Sequence, residues 1–70
     1  MIPSMELKAD ISKDALSPLM SVLSSLKTPA NAYDLTINTY TLFGVTTGYR
    51  VSLKTKIPEV MIAAIGSISQ

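Results

Sequence analysis

Residues 49–57 alternate apolar and polar side chains without a break, and this segment constrains the fold more than any other part of the chain. A period of two places successive side chains on opposite faces of a β-strand. The apolar set suits a core, and the polar set includes three of the chain's six positive charges. The segment is therefore predicted to be a half-buried strand with a basic outer face.

Two further segments, residues 5–11 and 33–43, show the same alternation and are predicted as strands with their odd-numbered residues inward. Residues 44–48, which follow the second of these strands, begin and end with glycine and have the length of a hairpin turn. An antiparallel hairpin is therefore expected to join the second and third strands.

The register of this hairpin follows from the rule that directly opposed residues share a face of the sheet. A turn centred on Thr46 opposes three inward pairs: Leu35 with Ile57, Ile37 with Thr55, and Phe43 with Tyr49. A slip by one residue would turn the apolar set to the wrong face. We therefore expect Tyr33, Phe43 and Tyr49 in the core, and Tyr40 on the outer face.

Two helices are predicted, at residues 17–27 and 58–68. Ser17 suits the N-cap of the first helix and Pro18 its first turn, and Pro58 opens the second. Each helix has an apolar stripe at helical spacing. The stripes consist of Leu16, Leu19, Met20, Leu23 and Leu26, and of Val60, Met61, Ala64, Ile65 and Ile68.

The resulting order of elements is β-α-β-β-α in a single domain of residues 1–70. A right-handed crossover leaves a gap that the returning strand fills, so the third strand should lie between the first two. We predict an α+β fold, a small two-layer sandwich with a three-stranded antiparallel sheet in spatial order 1-3-2 and both helices on one face.

The composition limits the chemistry that this chain can perform. It contains no Cys and no His, so it has no disulfide, no ordinary zinc site, no histidine general base and no thiol nucleophile. Glu6, Asp10 and Asp14 are the carboxylates considered for Mg²⁺ or Ca²⁺, but a solvated turn with a helix-capping Asp explains them better. We expect no enzymatic activity, no metal site and no cofactor.

The charge content is low, at 16% of residues and a net charge of +1, against about 25% charged residues in an average domain. A chain of 70 residues is marginally stable alone, so its stability must come from good packing or from a partner subunit, and the low charge favours self-association. The N-terminal segment lacks the pattern of a secretory signal, and the longest apolar run, residues 60–65, is far too short to span a membrane. We expect a cytoplasmic protein that has no membrane partner.

The outer sides of both helices have small uncharged residues where Lys and Glu are usual, and such surfaces permit close approach of another protein. These residues are Ser21, Ser24, Ser25, Ile62, Ala63 and Gly66. The first functional hypothesis is a non-enzymatic protein-interaction module, acting as a small regulator, inhibitor or assembly factor. It would bind another protein or form a homo-oligomer, and an exposed first strand pairing with its symmetry mate is one route to the oligomer.

The second hypothesis is a weak nucleic-acid binder, with cations for phosphates and an aromatic ring for a base. The face would consist of Arg50, Lys54, Lys56, Tyr40 and Asn38. In the order 1-3-2, however, Glu6, Asp10 and Asp34 lie on the neighbouring strands and neutralise these cations. If the basic strand is instead an edge, its lysines prevent aggregation. The strand order decides between these interpretations.

Overall fold

The computed structural model describes residues 3–69, so residues 1, 2 and 70 of the predicted domain lie outside the described range. The strands and helices are β1 (Met5–Ser12), α1 (Leu16–Ser25), β2 (Tyr33–Leu42), β3 (Val45–Thr55) and α2 (Pro58–Ile68), with a short 3-10 turn at Lys13–Ala15. The order of elements is β-α-β-β-α, as predicted.

The three strands form an antiparallel sheet in the order β1-β3-β2, which confirms the predicted strand order. Both neighbours of β3 are in register with it over the same stretch. Val51, for example, lies between Ala9 of β1 and Ile37 of β2. The basic strand β3 is therefore central, and both of its edges are paired with a neighbouring strand.

The predicted register of the hairpin is wrong, although the shared faces are right. Leu35 pairs with Leu53 rather than with Ile57, because the chain turns at Phe43–Gly44 and not over the whole of residues 44–48. The same shift places Val51 opposite Ile37 and Tyr49 opposite Thr39. Because the partner moves by four residues, an even number, each side chain keeps its face.

The core lies between the odd-numbered face of the sheet and the two helices. Its buried members come from all five elements except β2: Ile11, Leu19, Leu23, Val51, Leu53, Val60, Met61 and Ala64. Residues of β2 pack against this cluster while partly exposed, among them Tyr33 and Leu35. Both helices therefore cover one face, and the even-numbered face is open to solvent.

Helix α1 starts and ends earlier than predicted. It begins at Leu16, directly after the 3-10 turn, so that Ala15 and not Ser17 occupies the N-cap position. Pro18 is tolerated inside the first turn because the first four N–H groups of a helix have no partner within it. The helix ends at Ser25, since the next residue already has extended backbone.

Two members of the predicted apolar stripes lie outside the core. Met20 of α1 is 41% exposed and Ile65 of α2 is 46% exposed. Each sits at the margin of its stripe, and the stripe is wider than the contact that the helix makes with the sheet and with the other helix. These side chains add to the uncharged outer surface of the helix layer.

The helices are too short to cover the hairpin. Helices of 10 and 11 residues span about 15–17 Å, whereas strands of 10 and 11 residues span about 33–36 Å. Pairing of β1 with β3 ends at Ser12 and Gly48. Residues 40–47, beyond that pair, form a two-stranded projection that we call the hairpin arm, and the molecule measures 45 × 21 × 20 Å.

Candidate interaction surfaces

Two of the three cations of the predicted basic face, Arg50 and Lys54 of β3, already have acidic partners, and the third, Lys56, lies just past the end of that strand. The Arg50 Nε donates to Asp10 Oδ1 at 3.0 Å, and the Lys54 Nζ lies 3.7 Å from Glu6 Oε2. Both pairs follow directly from the register of β1 against β3. Lys8 lies 3.2 Å from Glu6 Oε1, so that carboxylate serves two lysines. The predicted neutralisation by Glu6 and Asp10 is present.

Asp10 joins all three strands at the level where the hairpin arm leaves the sheet. The Tyr40 hydroxyl donates to Asp10 Oδ1 at 3.1 Å, and the guanidinium carbon of Arg50 lies 5.8 Å from the centre of the Tyr40 ring. Gly48, opposite Tyr40 on β3, places no side chain in the path of that ring. Asn38 lies opposite Arg50 on β2. The cluster braces the arm against β1.

The electrostatics of this cluster follow from these hydrogen bonds. Hydrogen bonding from Arg50, helped by Tyr40, lowers the pKa of Asp10 below its ordinary value of 3.8. The same carboxylate raises the pKa of Arg50. Hydrogen bonding from Lys8, with a smaller effect of Lys54, lowers the pKa of Glu6 below 4.5. These acids stay ionised at neutral pH and neutralise much of the basic face.

Lys56 is exposed and makes no ion pair within residues 3–69. It borders a half-open pocket of about 410 Å³ at the end of the sheet opposite the arm. We call this the base pocket, and its lining is Ser4, Pro29, Asn31, Ala32, Tyr33, Asp34, Lys54, Thr55, Lys56 and Ile57. The buried Thr55 hydroxyl fixes its floor by donating to the Ala32 carbonyl at 2.7 Å and accepting from the Ile57 N–H at 3.0 Å.

The predicted helix surface is exposed and low in charge. The serines Ser21, Ser24 and Ser25 are exposed, Gly66 is exposed, Ile62 is 70% exposed and Ala63 is half-buried. The hydroxyls of Ser24 and Ser25 donate to carbonyls of their own helix, at 3.1 and 2.8 Å, and are thereby less available to solvent or a partner. Met20 and Ile65 belong to the same layer, although they were predicted to be buried.

The end of the hairpin arm is apolar and exposed, which sequence reasoning missed. Phe43, predicted in the core, is 96% exposed, and Leu42 and Val45 are 59% and 61% exposed. We call these three residues the apolar tip. Phe43 and Gly44 have φ angles of 50° and 77°, the two positive values that define a type I′ turn. A β-bulge after Tyr40 leaves one β3 residue unpaired, so that Val45 pairs with Leu42.

The two edges of the sheet differ in charge. Neither edge has a further strand beside it within residues 3–69. In β1, three of eight residues are charged, namely Glu6, Lys8 and Asp10. In β2, Asp34 is the single charge in ten residues, and no charged residue follows it until Arg50. That uncharged run was the signal in the sequence that marks the edge and the arm as an unusual surface.

No family model, no curated protein and no solved structure matches this chain. In the described part of the chain, no three His, Cys, Asp or Glu side chains lie close enough together to bind a metal ion. Neither helix within residues 3–69 has the length and apolar character needed to cross a membrane.

Proposed function

We propose that this protein is a non-enzymatic, self-associating protein-interaction module that acts as a small regulator, inhibitor or assembly factor. The observation that supports this most directly is the apolar tip. Leu42, Phe43 and Val45 are neighbours on a projecting arm, and each of them is more than half exposed. Single exposed apolar residues are ordinary, but a contiguous group on a projection is typical of an interaction site.

Analytical ultracentrifugation from low to high micromolar concentration tests self-association. The expected mass rises from 7.5 kDa toward twice that value as concentration increases. An interface of uncharged residues should persist when salt is raised, because salt screens charges and not apolar contacts. A mass that stays at 7.5 kDa throughout this range would contradict self-association.

A second proposal, a weak nucleic-acid binder, keeps one specific support. Lys56 has no carboxylate partner among the described residues, and it lies two residues after Lys54, just past the end of β3. Three other members of that face are engaged, since Arg50 and Tyr40 contact Asp10 and Lys54 lies near Glu6. Few counterions would be released on binding, so the affinity should be low and its salt dependence shallow.

A salt titration of oligonucleotide binding tests the second proposal. Binding should be detectable at low salt and should weaken in the double variant Lys54→Ala with Lys56→Ala. Absence of binding at low salt, or equal binding by that variant, would rule the proposal out.

A further inference from the structure

We infer that two copies of this chain pair their β2 edges antiparallel about Asn38, and that the apolar tip of each copy enters the base pocket of the other. The inference rests on the proposed self-association and specifies its geometry. It would produce a continuous six-stranded sheet with a two-fold axis at Asn38.

Charge favours β2 over β1 as the pairing edge. Antiparallel pairing of β1 with its mate about Lys8 would oppose Lys8 with itself and Glu6 with Asp10, and like charges directly opposite each other are destabilising. The equally long overlap about Ala9 would oppose Lys8 with Asp10, but both side chains already have ion-pair partners in their own chain. Pairing of β2 about Asn38 opposes no two charges, since its single charge, Asp34, faces Leu42 of the partner copy. A long strand edge without Lys or Pro is also the kind that pairs readily with another chain.

The length of β2 sets where the tip arrives. Two symmetry-related copies of Tyr33–Leu42 overlap most fully when the axis passes through Ile37 or Asn38. The axis at Asn38 places Phe43 opposite Tyr33 of the other copy, because each lies five residues, about 17 Å, from the axis. The axis at Ile37 would place Phe43 opposite Asn31. Tyr33 and Asn31 both line the base pocket, so either full overlap brings the tip to it.

The chemistry of the pocket suits an aromatic side chain. Tyr33 and Ile57 supply apolar wall, and the volume of about 410 Å³ is within the range of pockets that hold small ligands. The Lys56 ammonium, which has no carboxylate partner among the described residues, is available for the face of an incoming ring. The Asn38 axis is favoured over Ile37 because it also brings the aromatic side chains of Phe43 and Tyr33 to the same level of the paired sheet.

The conformation of Phe43 supports a role beyond the turn. A bulky residue with φ of 50° is unfavourable, and Asn, Asp or Gly is the usual choice at this position of a type I′ turn. The ring also gains nothing from burial, since it is 96% exposed. A residue that breaks a local rule without a compensating contact in its own chain is expected where a partner supplies that contact.

The arrangement closes on itself. Each copy uses its β2 edge and its tip once, and the interface is isologous, so assembly stops at two copies. The edges left at the ends of the six-stranded sheet are the two β1 strands, whose alternating charges oppose further pairing. Reciprocal seating of two tips adds apolar contact that strand pairing alone does not provide.

Disulfide trapping tests the position of the axis, and the natural chain has no cysteine that would interfere. In Asn38→Cys the two thiols are directly opposed across the axis, where Cα atoms about 4.5–5.5 Å apart fall within the disulfide range. Lys8→Cys is the matched control, because it occupies the middle of the other edge. We expect a covalent dimer from Asn38→Cys under mild oxidation and none from Lys8→Cys. Trapping of Lys8→Cys without Asn38→Cys would overturn the inference and leave self-association standing.

Ultracentrifugation of tip variants tests the seating of Phe43. Phe43→Asn retains a residue suited to the turn and should raise the dissociation constant at least roughly tenfold, as expected for an anchor residue. Ile62→Asn, at a 70% exposed apolar position on α2, should leave that constant unchanged. Circular dichroism should show both variants folded, since neither side chain is buried. Dissociation by Ile62→Asn alone would assign the interface to the helix layer and overturn the inference, whereas a wild-type chain that stays monomeric would overturn self-association itself.

Discussion

The base and the arm of the β2–β3 hairpin share one sequence pattern and have opposite surroundings. At the base, Leu53 is 1% exposed and Thr55 is 3% exposed, beneath the two helices. In the arm, Leu42 is 59% exposed and Phe43 is 96% exposed, beyond the reach of either helix. Alternation determines which residues share a face, but helix length determines how much of that face is covered. The base therefore supplies stability, and the end of the arm stays exposed.

The largest difference in stability that this comparison predicts is between truncation of a leucine in the base and truncation of a leucine in the arm. Leu53→Ala should lower the free energy of unfolding by about 2–5 kcal/mol, because it leaves a cavity in the core. Leu42→Ala should change it by less than about 0.5 kcal/mol, because that side chain is exposed. Urea denaturation at a concentration where the chain is monomeric measures both. Equal effects would show that the arm is packed as tightly as the base.

The junction of base and arm predicts the next effect. A Cβ atom added at Gly48 would lie 2.7 Å from the backbone oxygen of Ile11, so Gly48→Ala should force β1 and β3 apart. We expect Gly48→Ala to lower the free energy of unfolding by about 1–3 kcal/mol, the usual range for overpacking. The matched control is Gly66→Ala, where no atom lies within 4 Å of the added Cβ.

The control should act in the opposite direction. Gly66 lies in helix α2, where replacing Gly by Ala stabilises a helix by about 0.5–1 kcal/mol. Thermal unfolding of both variants, monitored by circular dichroism, should show a lower melting temperature for Gly48→Ala and a higher one for Gly66→Ala. A harmless Gly48→Ala would mean that the two strands separate freely at the root of the arm.

The same contrast explains which features were predictable from the sequence. Strand order and shared faces were, because alternation and the crossover rule depend on local pattern. The pairing of Arg50 with Asp10 followed from that order. The exposure of Phe43 did not, because it depends on where two short helices end. The register also failed, because a two-residue turn at Phe43–Gly44 and a bulge near Thr47 leave no mark in the period of the strands.

Replacement of Phe43 by asparagine should stabilise the monomer, a result that separates stability from the proposed interface. Phe43→Asn places a residue that tolerates positive φ in the turn and should raise the free energy of unfolding by about 1 kcal/mol. Phe43→Ala is the control, because it also removes the ring but keeps an unfavourable residue at φ of 50°. Urea denaturation at a protein concentration below the dissociation constant of the dimer should show a higher free energy of unfolding for Phe43→Asn and no increase for Phe43→Ala. If both variants were stabilised equally, the cause would be removal of the exposed ring and not a better residue for the turn.

The smallest effect concerns the ion pairs that brace the arm against β1. The pKa of Asp10 is lowered from its ordinary value of 3.8, chiefly by hydrogen bonding from Arg50. The ionised carboxylate therefore contributes its full stabilisation above pH 3.8, and this stabilisation is lost as pH falls through the lowered pKa. Asp10→Asn should therefore flatten the decline of stability in acid, whereas Asp34→Asn, which removes a carboxylate without an ion pair in residues 3–69, should not. Urea midpoints between about pH 2.5 and pH 7 measure the difference. Because the pair is exposed, added salt should reduce the effect further, and a decline identical in both variants would mean that Asp10 braces the arm through geometry alone and not through its charge.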